Sequence, residues 1–213
     1  MFNFTPEYFF SLLLSLPGIL IAITFHEMAH GYAAEAMGDP TAKNAGRLTL
    51  NPLKHIDPLG FLSMVLFRIG WAKPVPINPM YFKDRKKGII IVSLAGVVTN
   101  LILAFIGMAA YLAVVPIQNQ ILSTILQYLY FYNIIFAVFN IIPIPPLDGS
   151  QVLMAFLPEK AQPFYYKYER FGMAAIFILA FTGILWTIVS PAINGIEWLF
   201  LTILTPIFSL FWS

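Results

Sequence analysis

The chain has no cysteine. That excludes thiolate metal sites and thiol nucleophiles, and it leaves metal binding to His, Asp and Glu. Charge is scarce as well. Only 10% of the 213 residues are Asp, Glu, Lys or Arg, against about a quarter in a soluble domain. With 59% hydrophobic residues and a mean hydropathy of +0.79, most of the chain must face lipid or pack between helices that do. The opening MFNFTPE holds no Lys or Arg. It therefore lacks the basic region of a cleaved signal peptide, and the first hydrophobic segment reads as permanent. Nothing is left over for a soluble domain, a repeat or a flexible linker, and nothing points to nucleic acid. The aromatic load of 20 Phe, 10 Tyr and 4 Trp suits lipid-facing packing and interface belts rather than a cofactor box.

A bilayer core takes about 20 apolar residues per helix. Residues 6–37, 88–114, 121–142, 171–190 and 195–212 meet that length. The first is longer than one crossing needs. Pro17-Gly18 is expected to kink it, and Gly38-Asp39-Pro40 to end it. The stretch 58–69 is too short to cross and contains Arg68, which fits a re-entrant or interfacial segment. Of the twelve basic residues, nine lie between Lys43 and Lys87 and three between Lys160 and Arg170. The positive-inside rule then places 38–87 and 143–170 in the cytoplasm, with KDRKK at 83–87 as a surface anchor. Five spans alternate without conflict, amino terminus outside and carboxyl terminus inside. The expected fold is an all-α integral membrane protein with five transmembrane helices, or six if residues 1–37 cross twice. It forms one polytopic domain over 1–213, with a core at 18–157 and accessory helices at 171–212.

What chemistry there is concentrates in GILIAITFHEMAHGY, residues 18–32. Residues four apart share one face of an α-helix, about 6 Å along the axis. His26 and His30 can therefore aim two imidazoles at one ion. Glu27 is rotated about 100° from His26, beside the ion rather than on it, as a water-activating general base requires. Ionisable residues inside a span are costly and usually functional. Three within five residues favour a metal site over simple hydrogen bonding between helices.

Catalytic zinc commonly takes three protein ligands and keeps one position open. Glu35 faces away from both histidines. A downstream Gly and His would fall at 33 and 36, and both positions are Ala. Two candidates for the third ligand remain. His55 lies in NPLKHIDPLG. Asp148 lies in NIIPIPPLDGSQ, after Pro143, Pro145 and Pro146 break the 121–142 helix. The expected topology brings that break and the two histidines to the same depth, so Asp148 is favoured. It could also cap a short helix at 149–157.

These residues carry a resemblance. HEMAH followed by NIIPIPPLDG is similar to the site-2 protease family of intramembrane zinc metalloproteases. NPLKHIDPLG, GWAKPVPINP and SLAGVVTN resemble that family's compact branch, and the match covers about residues 18–157. The resemblance implies one zinc held by His26, His30 and Asp148, with Glu27 as catalytic base. It also implies a three-helix catalytic core made of 18–37, 88–114 and 121–142. The family often carries PDZ or CBS domains, for which this chain has no room.

The expected activity is an intramembrane zinc endopeptidase opening toward the cytoplasm of a bacterial or archaeal cell membrane. Its partners would be the lipid bilayer and the transmembrane or membrane-adjacent segments of protein substrates. The same cluster would also suit a metal-ion transporter, or a catalytically silent relative that binds partners. A substrate helix must unwind, and its freed backbone needs new partners. The proline-rich stretch 71–82 could offer an extended edge, or be a plain loop. Asn140 and Asn100 could donate to substrate, and Asn100 could instead join close-packed helices. His55 and Asp57 could cap their loop, order the 58–69 segment or touch the mouth of the site.

Overall fold

The computed structural model describes residues 5–67, 70–158 and 160–212; Arg68 lies outside them. Helix α1 spans Pro6–Ala36. Thr5 caps it by accepting the Tyr8 N–H at 3.3 Å, and Pro6 takes the first position, where a missing N–H costs nothing. Thirty-one residues span about 46 Å at 1.5 Å each, well beyond a hydrocarbon core of about 30 Å. The helix runs unbroken through Pro17, so residues 6–36 form one continuous helix.

Short elements follow. They are α2 (Thr41–Asn44), a 3-10 turn at Pro52–Lys54 and α3 (Pro58–Phe67). Asp57 caps α3, its Oδ1 accepting the Gly60 N–H at 2.8 Å. This helix is apolar but too short to cross, as its sequence predicts. The 71–82 stretch forms no strand. Its one isolated bridge is Ile56–Ala72, and a 3-10 turn closes it at Pro79–Tyr81.

Helix α4 covers Arg85–Val114, capped where Asp84 Oδ1 accepts the Lys87 N–H at 3.0 Å. Helix α5 covers Gln120–Asn140, with Asn119 as its cap at 3.1 Å. It stops just before Pro143, Pro145 and Pro146, which cannot donate to a helical ladder. Helix α6 restarts at Asp148–Phe156, and α7 follows at Gln162–Glu169.

Helices α1, α4 and α5 pack on one another, and α6 lies against α4. The approach of α1 to α5 is close enough to require Gly18. A methyl there would sit 2.9 Å from the backbone of Tyr128 and Leu129. On the far side of α4 and α5, buried Met108, Ile134, Ile193 and Leu204 join in one apolar core.

The carboxyl-terminal third differs from the sequence expectation. Spans at 171–190 and 195–212, joined near 190–197, were predicted. Instead α8 (Gly172–Phe181) ends at Gly183, whose φ of +76° makes the turn. Helix α9 then runs through Ile184–Trp212 with Pro191 and Pro206 inside it. Pro191, Ala192, Ile193 and Asn194, between the two expected spans, thus lie inside one helix. Packing holds it together there, since Val189 and Ile193 are buried against α4 and α5. Among the described residues, four helices are therefore long and apolar enough to cross a membrane: α1, α4, α5 and α9. Helices α3 and α8 are apolar but shorter.

Candidate metal centre and active site

Helical period places the Nε2 atoms of His26 and His30 3.0 Å apart. Both rings are buried. The proline break then does what no local pattern could. It turns the chain after α5 so that the first residue of α6 faces α1. Asp148 Oδ2 lies 3.1 Å from His26 Nε2 and 3.2 Å from His30 Nε2. Gly149 keeps α6 tight against the end of α5, because a Cβ there would run into the Ile141 carbonyl. Among the described residues, His26, His30 and Asp148 form the one group of acids and histidines arranged to hold a metal ion.

The second ring nitrogens define what the Nε2 atoms offer. His30 Nδ1 is 2.7 Å from the Val92 carbonyl. A carbonyl only accepts, so Nδ1 carries the proton and Nε2 a lone pair. His26 Nδ1 is 2.6 Å from Asn100 Oδ1. Asn100 is oriented by its other end, where Nδ2 donates to the Ala22 carbonyl at 3.1 Å and to Asn133 Oδ1 at 2.8 Å. Its oxygen therefore faces His26, and His26 Nδ1 is the donor. Asn133 in turn donates to the Leu129 carbonyl at 2.8 Å. Asn100 and Asn133 are wholly buried.

Three lone pairs thus converge within 3.2 Å of one another. A single proton can join only one of the three pairs, and the others would repel. A cation satisfies all three at once. Bonds of about 2.05 Å in a tetrahedral zinc site space the donors about 3.3 Å apart, close to the spacing here. Asp148 Oδ2 is buried with no conventional hydrogen-bond donor. The donor set of two imidazoles and a carboxylate suits zinc.

Gly96 of α4 lies flat against the His26 ring. A Cβ there would stand 2.5 to 2.7 Å from ring atoms, so no larger residue fits without moving the imidazole. Glu27 points elsewhere. Its Oε2 accepts the Val75 N–H at 2.8 Å, which ties the 71–78 segment over α1. Glu27 remains outside the three-atom group and next to it in sequence.

The other sequence candidates sit as follows. Asn100 does join α1 to α4 and α5, but its partner is His26 rather than a neutral helix face. Asn140 donates to the Phe136 carbonyl of its own helix at 3.0 Å. His55 is fully buried, with Nε2 on the Thr49 carbonyl at 2.8 Å, and is not part of the group. Asn133 escaped the sequence reading. It lies seven residues before Asn140, on the same helical face, and an amide in that apolar span was the available signal. Arg47, read only as a loop charge, is buried and bonds the carbonyls of Lys73 and Pro74.

The family comparisons concern the same residues. The model of peptidase family M50 matches residues 116–183, the stretch that carries Asp148. Similarity to whole proteins extends much further. The chain is 36% identical over 204 residues to "Putative zinc metalloprotease YwhC" of Bacillus subtilis, covering 89% of this chain and 91% of that protein. It is 29% identical over 194 residues to "Putative zinc metalloprotease Rip2" of Mycolicibacterium smegmatis, covering 88% of this chain and 70% of that one. It is 32% identical over 143 residues to "Putative zinc metalloprotease MJ0611" of Methanocaldococcus jannaschii, covering 66% of this chain and 69% of that one. The chain belongs to peptidase family M50, the site-2 protease family that its motifs resemble. No solved structure matches it.

Proposed function

We propose that the protein is an intramembrane zinc endopeptidase that cuts transmembrane or membrane-adjacent segments of other membrane proteins. One zinc per chain is held by His26, His30 and Asp148. The reading rests on one observation above all: two imidazole lone pairs and a carboxylate lone pair, from helices distant in sequence, meet within 3.2 Å. When bound, the ion supplies Lewis acidity, lowering the pKa of a water and polarising a carbonyl.

The chain's own residues do the rest. Asn100 and Val92 hold the two rings in the tautomer that presents Nε2. Glu27, with Oε2 fixed by the Val75 N–H, takes the water's proton at Oε1 and returns it to the leaving amine. Asn100 orients His26, so substrate contact is not assigned to it. Substrate contact is assigned to Asn140, at the end of α5 beside the proline break, through the amide hydrogen that its bond to the Phe136 carbonyl leaves over. The site opens toward the cytoplasm of a bacterial or archaeal cell membrane, because the basic residues gather in the segments flanking it. The bilayer itself is the remaining partner.

Metal analysis of the purified protein, paired with a cleavage assay on a panel of single-pass membrane substrates, tests the proposal. Wild type is expected to carry zinc and cleave. Glu27→Gln is expected to keep the zinc and lose about 10²- to 10⁴-fold in rate, the usual contribution of a general base. Metal flux that depends on Glu27, with no cleavage of any substrate, would make the cluster a transport site instead.

A further inference from the structure

The segment from Ala72 to Asn78 is extended, yet it pairs with almost no backbone. Isolated contacts pin it instead, one to a backbone carbonyl and the others to side chains. At its start the Lys73 N–H donates to the His55 carbonyl at 2.9 Å. At its end the Asn78 N–H donates to Asp39 Oδ2 at 2.6 Å. Between these pins stand Pro74 and Pro76, which have no N–H and a restricted φ. Val75 therefore carries the one backbone donor of residues 74–76, and that donor is spent on Glu27 Oε2 at 2.8 Å.

Arg47 sets the two residues just before it. Its Nη2 donates to the Lys73 carbonyl at 2.7 Å and its Nη1 to the Pro74 carbonyl at 3.0 Å. The side chain is buried, and its Nε has no partner. The two carbonyls thus account for its hydrogen bonds. A planar fork that grips two successive carbonyls fixes the orientation of the peptide between Pro74 and Val75, which contains the Val75 N–H. An ammonium is a point charge and cannot grip both in that geometry.

We propose that Arg47 is a positioning residue for Glu27, acting through the Pro74–Val75 peptide without touching the reacting atoms. The proposal builds on the role given to Glu27 above. Arg47 holds Val75 in place, Val75 holds Glu27 Oε2, and the carboxylate is kept beside the metal ligands rather than free to swing among them. A misplacement of about 1 Å can cost a hundredfold in rate.

The test uses the full chain, zinc-loaded in detergent, with a fluorogenic single-pass transmembrane peptide that wild type cleaves. Arg47→Gln and Arg47→Lys are compared with wild type in kcat, KM, zinc content and amide exchange of a peptide covering 72–78. The expected result is a kcat lower by about 10- to 100-fold, with KM and zinc content within about twofold. Amide exchange at 72–78 should be faster, while α4 and α5 are unchanged. Arg47→Lys keeps a buried cation and should fold where Arg47→Gln does not, and it should rescue kcat only in part.

Full kcat in a variant whose 72–78 segment has loosened would overturn the proposal. So would unchanged exchange at 72–78, full rescue by lysine, or loss of zinc in step with kcat, which would mark a general structural role. A wild type that binds zinc but cleaves no substrate would instead sink the protease reading. The exchange data would still decide whether Arg47 governs the Val75–Glu27 bond.

Discussion

Replacing Gly96 with alanine probes the packing that holds His26. The added methyl would lie 2.5 Å from Cε1, 2.6 Å from Nδ1 and 2.7 Å from Nε2 of that ring. Comfortable contact between such atoms begins near 3.5 Å. The ring must therefore retreat by about 1 Å, or α4 must move away from α1. Retreat breaks two relations at once. The 2.6 Å bond to Asn100 is stretched or lost, and Nε2 leaves a ligand position whose tolerance is about 0.2 Å. Loss of an outer partner of a metal-bound histidine typically costs 10- to 100-fold in affinity, or about 1.4 to 2.7 kcal/mol. Overpacking adds about 1 to 3 kcal/mol of destabilisation.

The two effects separate with a control. Gly107→Ala also lies on α4 at a helix contact, where a methyl would approach Tyr130 N to 3.2 Å, but away from the histidines. Zinc affinity by chelator competition is expected to fall at least tenfold in Gly96→Ala and to stay near wild type in Gly107→Ala. Thermal stability should drop in both, more steeply for Gly96→Ala. A Gly96→Ala protein that binds zinc within twofold of wild type would refute the reasoning, because His26 could then not be a ligand held against this glycine.

Asn100→Ala should weaken zinc binding about 10- to 100-fold. It also strands Asn133 Oδ1, so a loss of about 1 to 3 kcal/mol in stability is expected by denaturation. Asp148→Asn should lower zinc content or abolish cleavage; full occupancy and full turnover in that variant would remove Asp148 from the ligand set. Asp39 provides a pH test outside the membrane spans. Burial pushes its carboxyl up, but bonds from the Thr41 hydroxyl, the Asn78 N–H and the Thr41 N–H prevail and hold it below the ordinary value of 3.8. A depressed folded value adds stability that is present above the unfolded pKa and lost as pH falls through the folded one. Asp39→Asn should therefore melt lower than wild type at pH 7, and the gap should narrow as pH falls below the ordinary carboxylate value of about 3.9; a gap that does not change with pH would refute the assignment.

Some of this was open to the sequence and some was not, and the boundary follows the range of the interactions. Two histidines four apart share a helix face whatever surrounds them, because the helical period is a local property. The acid between them is turned aside for the same reason. Three prolines within four residues, at 143, 145 and 146, end α5, although the single prolines at 17, 191 and 206 do not stop α1 or α9. Most of the long uncharged runs form helices long enough to cross a membrane, where a helix satisfies its own backbone in lipid. The sequence ends one expected span at Ser190 and begins another at Gly195, but flanking contacts carry α9 through Pro191. At 71–82 it leaves an extended edge and a plain loop both open, and the loop is what forms.

What only the tertiary structure decided are the meetings across long separations. Asp148 reaches His26 across 122 residues of chain, where His55 was also available. Asn100 turns its oxygen to His26 because Ala22 and Asn133 occupy its nitrogen. Arg47 looks like any loop cation until two carbonyls 26 and 27 residues away lie in its fork. Residue types and short spacings determine which groups are capable of the chemistry. Which of them share a point in space depends on helix packing and on where the chain turns, and no local pattern encodes that.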